Sequence, residues 1–462
     1  MRTICLFFQI HQPFRLRRYR FFDIGTEHYY YDDYSNESTL HRAAEKSYIH
    51  ANKILLETIN KHKDKFKVAF SISGTALDQF ELYAPEVLES FQKLAATGQV
   101  EFLCETDSHS LVSLSNPEEF EKQVNAHRFK INKVFGQNPV VFSNTELIYS
   151  DQIGAQIADM GFEGMVTEGA KQILGWKSPN YLYCSAINPK LKLLLRNFKL
   201  SDDISFRFSN QNWSEYPLTT EKFASWLNTI DKKEETINIF INYESFGGYQ
   251  TRQSGIFEFF KYLPETIFKL TNYTFSTPTE IIRQQQPIAA VSIPSPISWV
   301  DEERDITAWL GNDLQKEAFT KLYRLLDYIK ECNDPKLLVD WKYLQSSDHF
   351  YYMSTKFFSD RPAHSYANPY GSPYDAFINY MNVLNDFSMR VKKATISNGE
   401  DSVPIVEDLL RLLDEKDSLL AQYQTQVSKE SLNVEKKPSA KSKKETDKKL
   451  QPVLVTKNNK KK

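Results

Sequence analysis

Glycine is scarce in this 462-residue chain, 15 in all, and no two stand at i, i+2. The G-x-G-x-x-G dinucleotide turn is therefore absent, and no G-x-x-x-x-G-K-[ST] phosphate loop occurs. Only four cysteines are present (Cys5, Cys104, Cys184 and Cys332), scattered and without a C-x-x-C pair. That excludes a disulfide framework or a zinc ribbon and suits a reducing compartment. None of the nine histidines forms an H-x-x-x-H pair, so a metal-dependent deacetylase would lack its ligands, and no metal or cofactor is expected. No apolar run nears the roughly 18 residues of a membrane span. Residues 4–8, cut off by Gln9 and His11, read as a strand rather than a signal core. A soluble, cytoplasmic protein without a membrane partner is expected.

Aromatic residues are plentiful: 32 Phe, 25 Tyr and 6 Trp. They can fill a core and can also stack on flat, apolar ligand faces. The net charge of −2 conceals an asymmetry, because residues 431–462 carry 11 lysines against three acids and leave −10 on the rest. An acidic, aromatic-rich body does not suit a nucleic-acid groove. The Lys-rich end reads as a disordered, solvated tail.

Short β-branched or aromatic runs recur at residues 4–8, 66–71, 100–103, 140–142, 164–167, 191–196 and 237–241. Helical patterns lie between several of them, at 39–61, 76–95, 117–134 and 220–231. That alternation implies an α/β protein with a parallel sheet, closed or open, and helices outside. Polar residues cluster where six of the runs end, including His11-Gln12-Pro13, Glu105-Thr106, Glu146, Glu168 and Asn242-Tyr243-Glu244. In parallel α/β architectures ligand chemistry gathers at the carboxyl ends of strands, so a barrel-like site is expected there. Residues 1–285 read as this domain, and 286–393 as a helical domain with helices at 303–329, 335–344 and 376–391. A linker follows at 394–404, an amphipathic helix at 405–430 and the tail at 431–462.

Two carboxylate positions stand out. Glu146 follows an apolar strand in Phe142-Ser143-Asn144-Thr145-Glu146, and Glu244 follows another in Asn242-Tyr243-Glu244-Ser245-Phe246-Gly247-Gly248. Retaining glycoside hydrolysis needs two carboxyl groups about 5–5.5 Å apart, one attacking the sugar and one protonating the leaving oxygen.

At these residues the chain resembles glycoside hydrolase family 57, most closely its α-amylase branch. The resemblance rests on five motifs in order: His11-Gln12-Pro13; Gly98-Gln99-Val100-Glu101-Phe102-Leu103 running on to His109; Asn144-Thr145-Glu146-Leu147; Asn242-Tyr243-Glu244-Ser245-Phe246-Gly247; and Trp299 through Arg304, Asp305 and Trp309 to Asn312. Gln345 to Met353 and residues 367–377 match the same branch. The resemblance implies a seven-stranded (β/α) barrel followed by a helical domain, acting on α-1,4-glucan (starch, glycogen or maltooligosaccharide) with retention. Glu146 would be the nucleophile and position 242 the acid/base. His11, Gln12, Glu101, His109, Glu244, Trp299, Asp305 and Trp309 would contact substrate.

Two departures follow. Asp107 and Ser108 stand where active amylases usually carry two tyrosines before His109, and Asn242 replaces the acid/base aspartate. An amide can neither donate a proton as an acid nor take one from water, and general acid–base help is worth about 10²–10⁴-fold. Impaired turnover is therefore expected, or a glucan-binding protein without turnover. Taken alone, Arg304-Asp305 is a helix-start charge pair and Asp348-His349 a buried polar network.

Overall fold

All seven expected strands form, and three more with them. The computed structural model describes residues 2–356 and 368–396. In chain order the strands are β1 (Thr3–Ile10), β2 (Val68–Ile72), β3 (Val100–Phe102), β4 (Val141–Ser143), β5 (Gly164–Glu168), β6 (Leu182–Ser185), β7 (Lys192–Arg196), β8 (Thr236–Asn242), β9 (Thr274–Phe275) and β10 (Ala290–Val291). All eight residues of β1 are buried. A strand flanked by parallel neighbours and covered on both faces needs such a continuous apolar run.

The strands do not join into one continuous hydrogen-bonded barrel. They pair as two five-stranded sheets, one in the order β3-β2-β1-β8 with β9 beside β1, the other β10-β6-β7-β5-β4. Every pairing is parallel except β6 with β7. The interruptions have local causes. β3 and β4 are three residues each, so they meet through a single bridge in which Cys104 N donates to Val141 O and Ser143 N to Cys104 O. At the other joint, antiparallel β6 occupies part of the β7 edge, and Asn238 takes over from the ladder. Its Nδ2 donates to Leu195 O at 2.9 Å, and its carbonyl accepts from Asn197 N at 2.8 Å.

Seven strands nonetheless share one interior. Cys5 and Phe7 of β1, Ala69, Leu103 just past β3, Val141, Val166, Leu194 and Phe240 form a single buried cluster. The alternate residues Ile4, Leu6, Phe8 and Ile10 face outward onto helices such as Ile49–His62 and Ile256–Leu270. This is the period-2 alternation of strand side chains.

The described residues fall within one compact unit. The helix expected at 303–329 divides into Thr307–Leu310, Asp313–Tyr323 and Leu326–Glu331, because Asn312 and Gln315 cap a new helix after Gly311. Pro335–Leu344 forms as expected, a short helix Ser347–Tyr351 follows it, and the helix expected at 376–391 runs Pro373–Ile396, into the expected linker. The rest of that linker, the amphipathic helix and the Lys-rich tail lie outside the described residues. Among the described residues, no helix is long and apolar enough to cross a membrane.

Candidate active site

A cavity of about 650 Å³ opens at the carboxyl ends of the strands. Its lining includes His11 from just past β1, His109 from beyond β3, Glu146 after β4, Arg196 at the end of β7, and Asn242 and Glu244 from β8 onward. Residues of the C-terminal helical region, Ser347, Asp348, Tyr351 and Tyr352, complete the wall.

Glu146 sits on strained backbone. Its φ is 54° and that of Leu147 is also 54°, left-handed values that non-glycine residues adopt at a cost. The turn is held from several sides: Leu147 N donates to Asn144 O at 2.9 Å, Asn144 Nδ2 to Ile148 O at 2.9 Å, and Thr167 Oγ1 to Leu147 O at 3.1 Å. Such over-determination is what keeps a strained residue in place. Both carboxylate oxygens then have partners. The Trp299 indole Nε1–H donates to Oε2 at 2.6 Å, and His109 Nε2 lies 3.3 Å from Oε1.

His109 lies between two carboxylates, with Glu105 Oε1 3.3 Å from its Nδ1. Burial works against the imidazolium, but Glu105 and Glu146 outweigh it and raise the pKa to about 10. His11 stacks on this ring, centroids 3.9 Å apart and planes 19° apart. Burial and the neighbouring His109 charge lower its pKa. A neutral His11 can donate from Nε2 to Asp348 Oδ2 at 2.6 Å and accept at Nδ1 from Ser73 Oγ at 2.8 Å. Asp348 thus joins His11 in the cavity wall, more than a buried polar step in the chain.

On the β8 side, Asn242 Oδ1 accepts from Glu244 N at 2.9 Å and so caps its own short turn. Glu244 Oε1 accepts from Gln12 Nε2 at 2.6 Å and from the Tyr48 hydroxyl. Burial raises the Glu244 pKa against the pull of these donors and of Arg15. Both sequence-identified catalytic positions, Glu146 and Asn242, therefore line one cavity.

Two of the expected substrate contacts do not line it. Glu101 sits in β3 and accepts from Thr279 N at 2.9 Å and from the Thr279 hydroxyl, where a carboxylate complements the start of helix Pro278–Gln284. Asp305 accepts from Thr307 N at 2.8 Å and Thr307 Oγ1 at 2.6 Å, a local cap at helix Thr307–Leu310. His11, Gln12, His109, Glu244, Trp299 and Trp309 do line it. Trp309 is only 1% exposed, however, and has no open face for stacking.

Sequence reading missed a charged set beside Trp299. Arg196 binds Glu168 at 3.1 Å and Asp202 at 2.5 Å, while Arg304 binds Asp202 at 3.1 Å and the Trp299 carbonyl. The Arg196 guanidinium lies 5.5 Å from the centre of the Trp299 ring. Gln9 was missed too. It lines the cavity with both amide atoms buried and without a protein hydrogen bond, and period 2 from His11 could have placed it on that face. Among the described residues, no group of three or more His, Cys, Asp or Glu is arranged to hold a metal ion.

The family model described as Glycosyl hydrolase family 57 matches residues 5–294. A curated protein of Methanocaldococcus jannaschii, named "Putative alpha-amylase", is 39% identical over 402 residues, covering 84% of each chain. Two solved structures share the fold at low identity. A GH57 branching enzyme from Thermococcus kodakaraensis, solved in complex with glucose, has a TM-score of 0.62 and 13% identity, covering 88% of this chain and 94% of that one. The alpha-amylase AmyC of Thermotoga maritima has a TM-score of 0.58 and 15% identity, covering 90% and 97%.

Proposed function

The chain belongs to glycosyl hydrolase family 57, and on that premise we propose that it acts on α-1,4-glucan with Glu146 as nucleophile and a disabled protonation step. The carrying observation is the Glu146 carboxylate, fixed by Trp299 and His109 on strained backbone in a cavity that Asn242 also lines. In a retaining reaction Glu146 attacks the anomeric carbon while the glycosidic C–O bond breaks, and a proton must reach the departing oxygen. Water then cleaves the glycosyl–enzyme ester, giving up a proton to the same base. Asn242 can serve in neither transfer. It retains hydrogen-bonding capacity, so sugar binding is kept.

In this reading residues 1–285 supply the strand-end chemistry, and 286–393 close the cavity through Ser347, Asp348, Tyr351 and Tyr352. The ligand is starch, glycogen or a maltooligosaccharide rather than nucleic acid. Four buried, free cysteines suit the reducing cytoplasm.

A second reading, an α-glucan-binding protein without turnover, is favoured by Asn242 itself, an amide lining the cavity where acid–base chemistry needs a carboxyl. The deciding experiment measures glucose and maltose release from soluble starch by the purified chain beside Asn242→Asp. Gain of hydrolysis supports the enzyme. Binding with no gain supports the second reading, and no binding of α-glucan by either protein removes both.

A further inference from the structure

His109 is carried on a tight turn. Its backbone N–H donates to Thr106 O at 3.1 Å, its own φ is 49°, and Asp107 is the second residue of the turn. The left-handed value at His109 has no glycine to relieve it, so something outside the turn must hold the conformation.

Two sets of contacts do so. On the inner side, Ser347 N donates to His109 O at 3.0 Å, and Ser110 forms a bridge with Ser346. On the outer side, the Asp107 carboxylate meets Lys342 Nζ at 2.8 Å and Lys130 Nζ at 3.2 Å. The same two lysines bind Asp78, Lys130 at 2.5 Å and Lys342 by a short ion pair. The result is a closed quartet of two cations and two anions, mostly shielded from water. Its members come from helix Gly74–Tyr83, the turn, helix Pro117–Phe135 and helix Pro335–Leu344. Balanced charge is what makes such burial tolerable, and removal of one member leaves an uncompensated charge. Gly74 makes room for it, since a Cβ there would collide with both the carboxylate and the carbonyl of Asp107.

We propose that Asp107 is a positioning residue: clamped by Lys130 and Lys342, it fixes the turn so that His109 stays stacked on His11 and within reach of Glu146. The segment from Lys342 to Ser347 thus grips the turn at both ends, on Asp107 and on His109. The groups facing the His109 ring are Glu105 and Glu146, with His11 stacked on it and Asp348 beyond, bonded to His11. The value of this placement for turnover rests on the reading of Glu146 as nucleophile; the placement itself does not.

The test is nuclear magnetic resonance of the intact, histidine-labelled protein, with His109 assigned through His109→Gln. In the unmodified chain the His109 ring should stay protonated until about pH 10, and its protons should show the upfield shift expected from the stacked His11 ring. Asp107→Asn, which removes the charge, and Gly74→Ala, which displaces the turn sterically, should both lose that shift and lower the titration midpoint by about one unit or more. Asp78→Asn takes a carboxylate from the same two lysines but lies off the turn. It should lower the thermal midpoint and leave the His109 signals in place. Unchanged signals in Asp107→Asn, or an equal change in Asp78→Asn, would overturn the inference. If Gly74→Ala fails to fold, Lys342→Gln replaces it under the same criterion. Failure of the unmodified chain to bind maltopentaose would sink the glucan reading alone, since these spectra need no sugar.

Discussion

Trp299 binds Glu146 through both backbone and side chain: its N–H donates to the Glu146 carbonyl at 3.3 Å, and its indole Nε1–H to the carboxylate at 2.6 Å. The two residues are 153 positions apart in the chain. Trp299 is itself tied down, since Arg304 donates to its carbonyl and Ser298 N donates back to Arg304 O at 3.1 Å. One oxygen of the carboxylate is thereby fixed, and the other is directed to His109.

Trp299→Phe tests that clamp. A hydrogen bond to a charged group is worth about 1.5–3 kcal/mol, so cleavage of an activated aryl α-maltoside should slow by about 10–100-fold. Maltopentaose affinity should change little, which calorimetry can check. An unchanged rate would mean the indole N–H does not act on Glu146 during reaction.

Asn242→Asp should raise starch hydrolysis by about 10²–10⁴-fold, the usual worth of general acid–base help. Vigorous hydrolysis by the unmodified chain would contradict this. It would point instead to Glu244, whose carboxyl is raised by burial and lines the same cavity.

An aryl glycoside whose leaving group needs no proton should still glycosylate Glu146. The next step lacks a base for water, so a covalent adduct should accumulate and be seen by mass spectrometry. Azide, a nucleophile that needs no base, should speed turnover and yield a glycosyl azide. Glu146→Gln should abolish the adduct; its persistence would move the nucleophile elsewhere.

Stability should fall on both sides of about pH 6.5, the ordinary histidine value. His109 is raised to about 10 by Glu105 and Glu146 acting against burial, so its contribution is complete below 6.5 and is lost as pH rises through 10. His349 is lowered to about 4 by burial, so its contribution is present above 6.5 and is lost as pH falls through 4. Urea midpoints from pH 4 to 10 should therefore peak near neutrality. His109→Gln should flatten the alkaline limb only, and an unaltered alkaline slope would contradict the charged assignment.

The sequence alone determined seven of the ten strands and the polar residues that close them. Each of the seven runs is a local pattern, and a polar residue closing an apolar run is visible within ten residues. That sufficed to place His11, Glu146 and Asn242 at strand ends, and the structure gathers all three around one cavity. β9 and β10 were not legible, because two residues carry no period and their pairing comes from β1 and β6. The positions of Glu101 and Asp305 off the cavity were not legible for a related reason: a carboxylate in a motif looks the same whether it faces a ligand or accepts from the start of a helix. Only the tertiary structure decided which carboxylates meet which cations. His11 finds Asp348 across 337 residues, and Asp107 finds Lys342 in a later helix. Secondary structure follows from the repeat of neighbouring side chains. A site is made by chain closure, which brings together residues whose separation in sequence carries no trace of their contact.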